Sequence, residues 1–113
     1  MVKIILMKND KIIILNDFKQ ILANKLKDNL KDVVLFGSQQ TGKINRDSDF
    51  DILIVLKQKP DWKDEREISD LCYEIDLKYG IISDTHILSD EDFNSLRGKQ
   101  PVYVNALKNG IYA

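Results

Sequence analysis

A chain of 113 residues supports one domain around one hydrophobic core. Its 43% hydrophobic and 31% charged content is that of a soluble globular protein, and a formal net charge of −1 gives no support to a large basic surface for nucleic acid. A single cysteine, Cys72, excludes an internal disulfide and points to a reducing, cytoplasmic compartment.

In chain order, "KIILM" and "KIIIL" flank the turn-prone pair Asn9-Asp10, and these branched runs predict a β-hairpin over residues 1–15. Charges interrupt them every few residues, so neither a signal-peptide core nor a membrane span is expected. Such runs at a sheet edge would be sticky, so they should pack on the main sheet or join two subunits as a homodimer. From Asn16, a plausible N-cap, the residues Phe18, Ile21, Leu22, Lys25, Leu26 and Leu30 recur at helical spacing. "DVVLFG" reads as a buried strand that ends at Gly37, and "DILIVLK" as a second strand covered on both faces. After Pro60, a helix is predicted from about Asp61 to Tyr79, with Ile68, Leu71, Cys72, Ile75 and Tyr79 on one stripe and Gly80 as its stop. Cys72 reads there as a small core residue, and Trp62, Tyr73 and Tyr79 as helix-packing aromatics. "IISDTHIL" is a third strand. Ser89 and Asp92 mark a capped helical start, and a last short helix follows Pro101. One α/β or α+β domain follows, a small mixed sheet with helices packed on it.

The chemistry concentrates in "LFGSQQTGKINRDSDFDILIVL". Gly37, Gly42 and Lys43 have the spacing of a P-loop, but Ile44 stands where that loop needs Ser or Thr for Mg²⁺, and the chain then enters a strand instead of a long helix. Asp47, Asp49 and Asp51 have the alternate spacing of a calcium loop. Ile52 and Gln58 then replace its glycine and its closing glutamate, and no helices flank it. A metal site at the mouth of a strand remains. Residues two apart in an extended chain share a face, so Asp49 and Asp51 project together as a hard oxygen pair suited to Mg²⁺ and substrate phosphates. Gly37 would let the backbone approach a phosphate, and Ser38 would offer it a hydroxyl and an amide.

This segment resembles the nucleotidyltransferase superfamily that includes the DNA polymerase β-like palm. Its pattern is Gly-Ser, a spacer with a second glycine, then Ser-Asp-x-Asp entering an apolar strand. Gly37, Ser38, Gly42, Ser48, Asp49 and Asp51 match it. The likeness is greatest to the minimal nucleotidyltransferases and runs from Asn16 to the closing "NALKNGIYA". It implies a nucleotidyltransferase fold, a third carboxylate at Asp84, two Mg²⁺ ions held by Asp49, Asp51 and Asp84, and ATP as substrate with Gly37 and Ser38 on its phosphates. It also implies a partner, a small helical HEPN-type toxin that such antitoxins modify with AMP on a tyrosine. One departure stands out: family members often carry arginines between the two glycines, and here the spacer is "QQT", with no cation before Lys43. A degenerate module that neutralises its partner by contact, and transfer to a small molecule or an RNA end, therefore stay open. His86 shares a strand face with Asp84 by alternation, a position more often structural than catalytic.

Overall fold

A computed structural model describes residues 8–37 and 50–113. Its elements are α1 (Lys8–Leu26), β1 (Leu30–Phe36), β2 (Phe50–Leu56), α2 (Trp62–Tyr79), β3 (Ser83–Ser89), α3 (Pro101–Asn109) and β4 (Ile111–Tyr112), with 3₁₀ turns at Lys27–Asn29 and Asp90–Asn94.

The N-terminal hairpin is not what forms. Residues 11–15, its expected second strand, lie inside α1, while the first run up to residue 7 is outside the described residues. The helix therefore starts well before Asn16, which is not its cap. The reason is packing. Ile14, Leu15, Phe18 and Leu22 are spaced to form one helical stripe, and all four are buried in the core. Ile12 and Ile13 fall off the stripe and stay exposed. Leu30, assigned to the helical face by spacing, opens β1 instead.

The sheet has the order β3-β2-β1-β4. β1 runs antiparallel to β2 and β4, and β2 runs parallel to β3 through the α2 crossover. β2 is buried along its whole length, Asp51 included, as the apolar run over residues 52–56 leads one to expect. Its even residues Phe50, Ile52, Ile54 and Leu56 pack with α1 and α2. Leu53 and Val55 point the other way and pack with Val34, Leu88, Tyr103 and Ala106 beneath α3. Among the described residues this is three helices on a four-stranded mixed sheet, an α+β fold.

α2 follows the sequence closely. Asp61 caps it by accepting from the Asp64 amide at 2.8 Å, and Gly80 ends it in the left-handed conformation (φ 64°) that glycine adopts without strain. Ile68, Cys72 and Ile75 are buried. Trp62 and Tyr73 depart from the packing role and are largely exposed, because both lie off that stripe. Tyr79 donates to Asp17, and Lys78 donates to the same carboxylate at 3.1 Å, which fastens α1 to α2. Hydrogen bonds from Tyr79 and then Lys78 hold the Asp17 carboxyl below its usual range, so this fastening is present at neutral pH and is lost in strong acid. No helix among the described residues is long and apolar enough to cross a membrane.

Burial pushes the Cys72 thiol up to about 12 from an ordinary value of 9.0. The folded protein should therefore resist thiol reagents at mildly alkaline pH and react fully once denatured. Because the folded state raises this pKa, the stability tied to the neutral thiol is intact below about 9 and falls as pH climbs toward about 12. Fast labelling of the native protein would contradict a buried Cys72.

Candidate active site

Three strand ends meet at one edge of the sheet: the C-terminal end of β1 and the N-terminal ends of β2 and β3. This follows from topology, since β2 runs against β1 and with β3. Asp51, the second residue of β2, lies opposite Phe36 on one side and opposite Asp84 on the other. Partners on adjacent parallel strands sit about 4.8 Å apart and point to the same face. That face is the α3 side, where Leu53 and Val55 follow Asp51 and where His86 and Leu88 follow Asp84.

Asp51 is only 8% exposed, and Asp84 is more open, with 39% of its side-chain surface accessible. An enclosed carboxylate beside a second, more open one is an arrangement that could hold a cation between them. The pair forms a hard oxygen donor set of the kind Mg²⁺ accepts together with phosphate oxygens. Asp49 and Ser38, the other two expected site residues, lie outside the described residues, as do Gly42, Lys43 and Ser48. Among the described residues no group of three or more His, Cys, Asp or Glu side chains is gathered to hold a metal.

Gly37 immediately follows β1 at the same edge and is exposed. A Cβ built there would meet nothing within 4 Å. Packing among the described residues therefore gives no reason for glycine, in contrast to Gly98, where a Cβ would come within 2.2 Å of the Asp92 carbonyl oxygen.

Beside the carboxylates lies a cluster that the sequence shows only in part. The His86 ring sits between Phe36 of β1 and Tyr103 of α3, each with ring centroids 5.7 Å away. Its Nε2 is 3.2 Å from Asp84 Oδ2, and its Nδ1 is 3.2 Å from Tyr103 Oη. Strand alternation links His86 to Asp84. Tyr103 comes from a helix packed across the sheet, and no local pattern signals it.

Two carboxylates in register at the mouth of a mixed sheet, beside a glycine at the end of the preceding strand, are the arrangement expected of a palm-type nucleotidyl-transfer domain. The nucleotidyltransferase domain family matches residues 15–113, and the chain belongs to that family, as a minimal member of the DNA polymerase β-like superfamily. It is similar to two proteins of Methanocaldococcus jannaschii, each provisionally named a protein adenylyltransferase. With MJ0141 it shares 38% identity over 69 residues, which is 61% of this chain and 70% of that protein. With MJ0604 it shares 35% over 80 residues, 71% of this chain and 75% of that protein. No solved structure matches the chain significantly.

Proposed function

We propose that this transferase moves AMP from ATP onto a protein hydroxyl, a tyrosine of a small helical HEPN-type toxin, and so acts as its antitoxin. The observation that carries the reading is the register of Asp51 with Asp84 at the N-terminal ends of β2 and β3. The provisional names of its two relatives support a protein acceptor over a small molecule or an RNA end.

In this reading Gly37 and Ser38 hold the β- and γ-phosphates, which fixes the leaving end of ATP. Asp49, Asp51 and Asp84 would hold Mg²⁺, which when bound neutralises charge on the phosphates. Asp84, the more accessible of the two described carboxylates, accepts the proton of the acceptor hydroxyl. That oxygen forms a bond to the α-phosphorus as the bond from the α-phosphorus to the bridging oxygen breaks, and pyrophosphate leaves with the electron pair. Asp51 is buried in the floor of the edge. The rate enhancement comes from positioning and charge compensation, so each carboxylate matters out of proportion to its size.

The test uses the full chain, Mg²⁺, ATP and a candidate helical partner, for which the protein encoded beside this one is the first choice. Peptide mapping by mass spectrometry should find AMP on a partner tyrosine. A tight complex in which no partner residue carries AMP would overturn the enzyme reading in favour of an antitoxin that works by contact, the outcome that the arginine-free spacer "QQT" would then explain.

A further inference from the structure

His86 is the only histidine of the chain, and it touches a carboxylate at one ring nitrogen and a phenol at the other. A carboxylate oxygen can only accept, so the proton of a neutral ring belongs on Nε2, donating to Asp84 Oδ2. Nδ1 is then the acceptor, and Tyr103 Oη–H donates to it. The chain of bonds has one direction: Tyr103 to His86 to Asp84.

The surroundings make that chain rigid. Phe36 and Tyr103 are nearly buried and hold the imidazole from both sides. Tyr103 is in turn held under the guanidinium of Arg97, 5.6 Å above its ring, and Arg97 donates to the Ile87 carbonyl of the same strand at 3.1 Å. Phe36 is also the register partner of Asp51, so the ring that packs on His86 stands beside the second carboxylate of the pair.

We propose that Tyr103 and His86 form a brace that positions the Asp84 carboxylate: the brace engages Oδ2 and so turns the second oxygen toward the reacting groups. His86 is a positioning residue here, acting through Asp84 and touching no substrate. The inference rests on the role given to Asp84 above. Its physical warrant is general: a carboxylate that binds a cation or takes a proton works best when an outer hydrogen bond fixes its orientation, and loss of such a partner costs about 10–100-fold. The brace spans β3 and α3, so docking of α3 is what completes the site.

The experiment has two arms. The first needs no catalysis. Protein labelled with ¹⁵N at histidine gives one imidazole spin system, since the chain holds one histidine. The ring should show a single tautomer with a slowly exchanging Nε2 proton. Asp84→Asn should shift Nε2, and Tyr103→Phe should shift Nδ1 more than Nε2. A ring that averages between tautomers like free imidazole, or that ignores both substitutions, would overturn the brace whether or not the protein is a transferase. The second arm is AMP transfer from α-labelled ATP to the partner. His86→Leu should lower kcat about tenfold with KM for ATP within about twofold, and His86→Gln, whose amide can still donate, should recover part of the loss at an unchanged melting temperature. Wild-type transfer with full kcat in His86→Leu would refute the brace alone. No transfer by the wild type would refute the functional reading, and the imidazole spectra would then decide the brace independently.

Discussion

Asp51→Asn should reduce nucleotidyl transfer by about a thousandfold or more while the protein stays folded. Asn keeps the shape and removes the charge, so the change isolates electrostatics from packing. Asp51 is buried at the mouth of β2 and faces Asp84 in register. The extra stability conferred by Mg²⁺ with ATP should be lost as well. Failure of the metal-free variant to fold would make Asp51 a structural residue.

The largest effect on stability is expected at Phe18→Ala. Phe18 has 0% exposure and packs α1 onto the face of the sheet formed by Phe50, Ile52 and Ile54. Truncating a fully buried phenylalanine costs about 3–5 kcal/mol. Since domains of this size are stable by about 5–15 kcal/mol, the variant should lose much of its resistance to denaturant or fail to fold at elevated temperature. Ile13→Ala is the control. Ile13 belongs to the same helix but is 56% exposed, and its loss should change stability by no more than about 0.5 kcal/mol. Equal effects at the two positions would mean that residues 8–26 do not present the stripe described, and would reopen the hairpin.

The fold was legible wherever local chemistry and packing agree. α2 carries its own punctuation, an aspartate cap at one end and a glycine stop at the other, and its boundaries differ from expectation by one residue. β2 was equally plain, because the five apolar residues in a row over 52–56 have nowhere to go but between two layers. The N-terminus misled because isoleucine favours strands by propensity, whereas the deciding term was the helical spacing of Ile14, Leu15, Phe18 and Leu22 against the sheet. The aromatic residues Trp62 and Tyr73 misled in the same way, since their size suggests burial while their place around α2 leaves them in solvent.

The candidate site was legible as a set of residue types and less so as an arrangement. The Ser-Asp-x-Asp pattern singles out Asp51 from the chain alone, and Asp84 follows from the family pattern. That these two face each other in register depends on the parallel pairing of β2 with β3, which no single strand reveals. Tyr103 was wholly hidden. Its contact with His86 crosses from a helix to a strand and arises only once α3 covers the second face of the sheet.

ATP labelled at the α-phosphorus in one reaction and at the γ-phosphorus in a second, each with Mg²⁺, this chain and its helical partner, tests nucleotidyl transfer most directly. Label from the α position should pass to the partner and be absent with Asp51→Asn, while label from the γ position should leave entirely as pyrophosphate. Transfer of the γ label to protein, or α label arriving undiminished with Asp51→Asn, would contradict a nucleotidyltransferase whose chemistry is done at Asp51 and Asp84.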